Sequence, residues 1–197
     1  MKKRRASLPF IIGISLIAFS LLIVLFWQVR MLVGNSKSAA VVSQMEAILP
    51  EKTTGVPEVY SNSVMPILEI DGEDYSAVLE IPEFGIKLAV ADRWNGNKLY
   101  RSPARYYGSA YDNSLVIGGA DYPKQFSFCD KIVDGAAVIV TDMTGAKFTY
   151  KVSGVDRAKK AENEWLTSEE YDLTLFCRDT YSMEYIAVRC VWAYNEK

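Results

Sequence analysis

The chain has 197 residues, about one domain plus appendages. Half of them are hydrophobic, and the formal net charge is −2 even though the first five residues include Lys2, Lys3, Arg4 and Arg5. The remainder is therefore acidic, which excludes nucleic acid as the main partner, since phosphate binding needs a concentrated basic surface.

Residues 8–27 form a run of 20 without a charged side chain. As a helix this run measures roughly 30 Å, the thickness of a bilayer's hydrocarbon core. The basic cluster before it directs the N-terminus to the cytoplasm. A cleaved signal peptide is the competing reading, but its apolar region is shorter, about 7–15 residues. The small residues Ser38 to Ala40 also lie late for a cleavage site. The spacing of Val41, Val42, Met45, Ile48 and Leu49 predicts a short juxtamembrane helix within 31–49, ended by Pro50. The expected organisation is a cytoplasmic tail over 1–7, a transmembrane anchor over 8–27, a juxtamembrane segment and linker over 28–63, and a folded domain over 64–195. That domain is expected outside the cell membrane.

Within the domain, rough alternation and β-branched or aromatic residues predict strands at 67–70, 77–81, 87–91, 114–118, 137–142, 147–155, 172–177 and 185–193. Thr144-Gly145 marks a hairpin turn. Short helical segments are expected near 96–100 and 125–133. The fold class is mainly β: about eight strands closed into a barrel, which removes exposed sheet edges. There is no histidine, and the three cysteines are Cys129, Cys177 and Cys190. An odd number leaves at least one thiol unpaired within the chain, and the spacing assigns no disulfide. Buried small hydrophobes are the ordinary role for such cysteines. No metal site and no cofactor are expected.

Several strings, in order, resemble the sortases, cysteine transpeptidases of Gram-positive cell envelopes. Leu79-Glu80-Ile81-Pro82-Glu83-Phe84-Gly85-Ile86 resembles the family's opening strand and turn. Ser102-Pro103-Ala104-Arg105-Tyr106 resembles the segment leading to its central strand. Ser114-Leu115-Val116-Ile117-Gly118-Gly119-Ala120 resembles the strand that ends in the catalytic histidine. Val140 to Val152 is similar to the next hairpin. Asp172-Leu173-Thr174-Leu175-Phe176 resembles the strand entering the catalytic cysteine, and Val188-Arg189-Cys190 a frequent ending of the last strand.

The resemblance implies a thiolate nucleophile, a histidine acid and base, and an arginine at the oxyanion. Carried over without gaps, these roles fall on Arg178, Ala120 and Tyr185, so none is intact. Cys177 is the fallback nucleophile and Arg189 the fallback clamp. Strand alternation turns Cys177 away from the face of Thr174, Phe176 and Arg178 unless a bulge intervenes. An Asp121–Arg178 ion pair across the old cleft is a further expectation. Gly119, Asp121, Tyr122, Thr174 and Phe176 are candidate groove residues. Tyr106, Tyr107, Tyr111 and Tyr122 form an aromatic neighbourhood in sequence, and the acidic stretch 161–170 reads as solvated.

The implied function is an inactive, membrane-anchored accessory module. Its expected partners are sorting-signal peptides, pilins or an active sortase. The alternatives are a noncanonical transpeptidase or peptidase using Cys177, or a purely structural envelope component.

Overall fold

A computed structural model describes residues 8–49 and 64–193. The expected tail with its basic cluster, residues 50–63 of the expected juxtamembrane segment and linker, and the last residues of the expected domain lie outside the described residues. Helix α1 (Leu8–Ile48) is continuous, where an anchor and a separate short helix were expected. No proline falls between residues 10 and 48, and the two glycines there, Gly13 and Gly34, each cost only about 1 kcal/mol relative to alanine. The described large apolar side chains from Phe10 to Val29 are all exposed. Among the described residues, no helix is long and apolar enough to cross a membrane.

Among the described residues there are nine strands: β1 (Leu68–Ile70), β2 (Glu73–Ile81), β3 (Ile86–Ala91), β4 (Ala104–Tyr107), β5 (Leu115–Gly118), β6 (Ala137–Asp142), β7 (Lys147–Ala158), β8 (Leu173–Arg178) and β9 (Tyr185–Trp192). Their order is β1-β2-β3-β4-β5-β8-β9-β7-β6, and β6 returns to pair with β2. Strands β2 to β9 thus close an eight-stranded barrel, with β1 a short addition against the start of β2. The β4 strand overlaps the 102–106 string and is not among the predicted strands. It is short, follows Pro103 and carries Arg105, so it lacks an alternating apolar signal.

Neither short helix forms where expected. Residues 96–101 and 123–131 are successive turns, with i to i+3 bonds such as Lys98 N–H to the Asn95 carbonyl (2.8 Å) and Cys129 N–H to that of Phe126 (3.1 Å). Phe126 and Phe128 are both buried in the barrel core, a spacing of two that no helix satisfies. A one-turn helix α2 (Asn163–Leu166) forms instead in the β7–β8 connection.

Alternation decides which side chains fill the barrel. Leu79 and Ile81 of β2, Leu88 and Val90 of β3, and Leu115 and Ile117 of β5 point inward with Leu173, Leu175 and Cys177 of β8. Val78 and Ala89 point outward, where they meet Val41, Val42 and Met45 of α1, together with Ile70 and Tyr75. Lys87 bridges this seam, 2.5 Å from Glu46 and 3.1 Å from Glu80. Burial pulls the Lys87 pKa down, but the hydrogen bonds to Glu46 and Glu80 outweigh it and hold it above the ordinary lysine value.

Packing, not the ion pair, holds α1 on the barrel. Met45→Ala should cost about 2–5 kcal/mol in urea unfolding of the detergent-solubilised chain, and Glu46→Gln less than about 1 kcal/mol. A raised lysine pKa stabilises fully below the unfolded value of about 10.4 and is lost as pH rises through the folded one. The Glu46→Gln difference should therefore vanish in strong alkali, while that of Met45→Ala persists.

Candidate functional site

Three neighbouring strands end together. β5 and β8 are parallel, with Gly118 opposite Phe176, and the pairing continues as the Gly119 N–H donates to the Phe176 carbonyl (2.9 Å). Ala120 follows directly. β8 and β9 are antiparallel with Arg178 opposite Tyr185. Backbone pairing thus brings Ala120, Arg178 and Tyr185 to the same end of one sheet region. The Ala120 backbone is pinned by Gln125, whose side-chain oxygen accepts the Ala120 N–H at 2.5 Å while its amide donates to the Leu99 carbonyl at 2.9 Å. Tyr122 and Phe126 donate their N–H groups to the Ala120 carbonyl.

The Arg178 side chain is exposed; its Nε donates to the Met183 carbonyl (3.3 Å), and the guanidinium lies 5.8 Å from the Tyr185 ring centre. The expected Asp121–Arg178 ion pair is not formed. Asp121 instead accepts the Thr180 N–H at 2.9 Å, tying the end of β5 to the β8–β9 loop. Within that loop Asp179 accepts from the Tyr181 N–H and the Ser182 hydroxyl, both at 2.8 Å. The Tyr181 and Ser182 donors, with Arg157 beyond them, hold the Asp179 carboxyl below its usual range.

Cys177 lies on the other side of the sheet. The β8–β9 register runs without a bulge from Leu173–Cys190 to Arg178–Tyr185. Cys177 therefore points into the barrel, where its thiol donates weakly to the Phe126 carbonyl (3.7 Å). Cys129, Cys177 and Cys190 are all free and buried in the same core. Burial pushes the Cys129 and Cys190 thiols well above the ordinary cysteine value. The fallback nucleophile thus has no access to the strand-end site. Among the described residues, no cluster of Cys, Asp and Glu is arranged to hold a metal ion.

Arg189 is not a clamp either. It is 2% exposed, and its nitrogens donate to Asp156 (2.9 Å), the Thr174 hydroxyl (3.1 Å) and the Trp165 carbonyl (2.7 Å). The rings of Trp165 and Tyr171 lie over the guanidinium at 4.8 and 5.1 Å. Arg189 therefore fastens the β7–β8 connection onto the outer sheet face. The glutamates of the 161–170 stretch are exposed, as expected, but Leu166 and Trp165 between them pack onto that face.

Between Thr174 and Arg178 the outer face is covered by aromatic rings. Trp94 stacks on Phe176 with centres 5.5 Å apart, and Tyr106 meets both edge-on at 5.1 and 5.4 Å. The Tyr106 hydroxyl donates to the Asn163 side chain, linking β4 to α2. A Cβ on Gly118 would lie 2.4 Å from Trp94 and 2.7 Å from Phe176, and one on Gly119 2.4 Å from Phe126. These glycines let rings rest on the backbone of β5. The predicted tyrosine neighbourhood disperses: Tyr107 is exposed, Tyr122 flanks Ala120, and Tyr111 donates to Asp142 at 2.5 Å beneath the 142–146 turn. Sequence reasoning missed Trp94, which lies in a connection with no periodic signal. Beyond Thr174 a cleft of about 420 Å³ opens, bordered by Asp112, Glu169 and Asp172.

The fold and this strand-end site define a closed β-barrel protein whose candidate site lies where β5, β8 and β9 end. A family model described as Sortase domain matches residues 79–193, and the chain belongs to the sortase family. Among solved structures it is similar to sortase A from Corynebacterium diphtheriae, at 13% identity and TM-score 0.56, covering 83% of this chain and 86% of that one. It is also similar to sortase C1 from Streptococcus agalactiae, at 22% identity and TM-score 0.55, covering 65% and 72%. A third is Clostridium perfringens sortase C with the C-terminal cell wall sorting motif, at 17% identity and TM-score 0.52, covering 84% and 88%. No curated protein matches the chain.

Two substitutions test the outer-face packing. Gly118→Ala should cost about 1–3 kcal/mol by overpacking, and Trp94→Ala in the same chain should recover part of it, a coupling read from urea denaturation as a double-mutant cycle. Arg189→Met should cost roughly 1.5–3 kcal/mol, the worth of hydrogen bonds to a charged group. It should also speed tryptic cleavage at Lys159 and Lys160.

Proposed function

We propose that this sortase-family protein is a non-catalytic accessory module, anchored in the cell membrane of a Gram-positive envelope, that binds an extended peptide or protein partner without cleaving it. The observation that carries this reading is the meeting of Ala120, Arg178 and Tyr185 at one set of strand ends while every thiol is sealed in the core. These positions correspond to the family's histidine, cysteine and arginine. A methyl, a guanidinium and a phenol supply neither a nucleophile nor a proton relay tuned near neutral pH. Cys177 is buried on the opposite face of β8, so the cysteine-enzyme alternative gains no support.

The anchor reading rests on the uncharged run over 8–27 behind a basic cluster, with apolar side chains exposed all round the first half of α1. It gives a single pass with the N-terminus cytoplasmic and the barrel outside. Asp121 and Tyr122 border the proposed groove beside Arg178 and Tyr185, whereas Gly119, Thr174 and Phe176, also expected there, are buried under neighbouring side chains. The partner class is a sorting-signal peptide, free or carried by a pilin, or an active sortase. A similar fold, the Clostridium perfringens sortase C, is described with a cell wall sorting motif.

Fluorescence-anisotropy titration with a labelled Leu-Pro-x-Thr-Gly peptide should show saturable binding and no cleavage product. Neither Cys177→Ala nor Cys177→Ser should change the affinity. Absence of binding to such peptides, to pilins and to active sortases would leave only a spacer role. The triple variant Ala120→His, Arg178→Cys, Tyr185→Arg should gain a thiol at position 178 that alkylates at neutral pH, because residue 178 faces solvent. An unreactive thiol there would contradict the assigned register.

A further inference from the structure

Charge is segregated among the clefts of the described residues. The cleft beyond Thr174 carries only carboxylates as its charged groups, and the one beside the β1–β2 turn mixes Glu73 and Asp74 with Arg93, Lys98 and Arg101. A third cleft, of about 380 Å³, lies between α1 and the turn segment 123–131 that closes one end of the barrel. Its charged lining is Lys87, Lys124 and Lys131, with no carboxylate; Ala39, Phe84 and Phe128 form part of its wall. Glu83 and Asp130 adjoin these residues in sequence but do not line the cleft.

Glu46 and Glu80 neutralise Lys87. Lys124 and Lys131 are exposed and form no ion pair among the described residues. Two unpaired cations therefore stand together on the wall of a cleft in an otherwise acidic protein. Their distance from the apolar run is set by α1. Ala39 is ten residues beyond Val29, an exposed apolar residue just past the uncharged run, which is about 15 Å along the helix. A headgroup layer is about 5–8 Å thick, and a surface potential reaches a further 8 Å or so at physiological ionic strength.

We propose that Lys124 and Lys131 form a contact site for anionic phospholipid headgroups, which holds the barrel down on the outer surface of the bilayer beside its own anchor. This rests on the anchor reading above. Headgroup phosphates would sit in the cleft mouth between the two ammonium groups. The packing of Val41, Val42 and Met45 keeps the cleft at a fixed height along α1.

The test uses the full chain in nanodiscs of phosphatidylcholine or of phosphatidylglycerol, with a water-soluble amine-acylating reagent and peptide mass spectrometry. Labelling of Lys124 and Lys131 should be roughly fivefold slower per site in phosphatidylglycerol, the factor expected for about 1 kcal/mol per lysine. Exposed Lys151, outside the cleft, should label equally in both. Salt at about 1 M should remove the difference, since the Debye length falls to about 3 Å. Equal labelling in both lipids overturns the proposal and leaves the anchor standing. Failure of the chain to enter either nanodisc overturns the anchor reading as well. Equal slowing at Lys151, or equal protection by inorganic phosphate in phosphatidylcholine nanodiscs, overturns the lipid assignment.

Discussion

The closed barrel assigns every strand residue one of two environments, and β8 shows the consequence most sharply. Leu173, Leu175 and Cys177 fill the interior, whereas Thr174, Phe176 and Arg178 face outward, with no bulge to exchange them. A single residue step along β8 thus separates a sealed thiol from an exposed guanidinium. Moving Cys177 to the outer face would carry every other β8 side chain with it and empty the core of two leucines, at about 2–5 kcal/mol each. The chemistry available at the strand ends is therefore set by the register of one strand.

The outer face is held by its own set of contacts. Arg189 is buried outside the barrel and locks the β7–β8 connection through Asp156, Thr174 and the Trp165 carbonyl. A buried cation is tolerable only when it is paired and hydrogen-bonded, and each of the three Arg189 nitrogens donates to a protein oxygen, so this arginine is committed to structure. Trp94, Tyr106 and Phe176 then cover the middle of the face, seated by Gly118. The residues still free to meet a partner are at the strand ends and their loops: Asp121 and Thr180 join two loops there, and Arg178 extends beside Tyr185.

The sequence made the barrel legible because a half-buried strand repeats every two residues. Eight of the nine strands stood out in this way, and the inward aim of Cys177 followed from the same period. Short β4 escaped because Arg105 spends its charge on Asp92 instead of presenting an apolar face. No helix forms near 125–133 because Phe126 and Phe128, two residues apart, both enter the core, which the segment achieves by folding back as turns at the barrel end. The Asp121–Arg178 pair was a plausible charge match defeated by geometry, since the nearer donor is a backbone N–H. Trp94 and the Trp165–Arg189 contact join residues distant in sequence, and no local pattern encodes such pairs.

Intact-mass spectrometry tests the central claim most directly, with the full chain incubated at neutral pH with a sorting-signal peptide and no added amine. Acyl transfer to a sortase nucleophile would leave the N-terminal part of the peptide on the chain as a thioester. The account predicts an unchanged protein mass and an uncleaved peptide after prolonged incubation. A stoichiometric mass increase that hydroxylamine removes, mapped to any of the three cysteines, would contradict it.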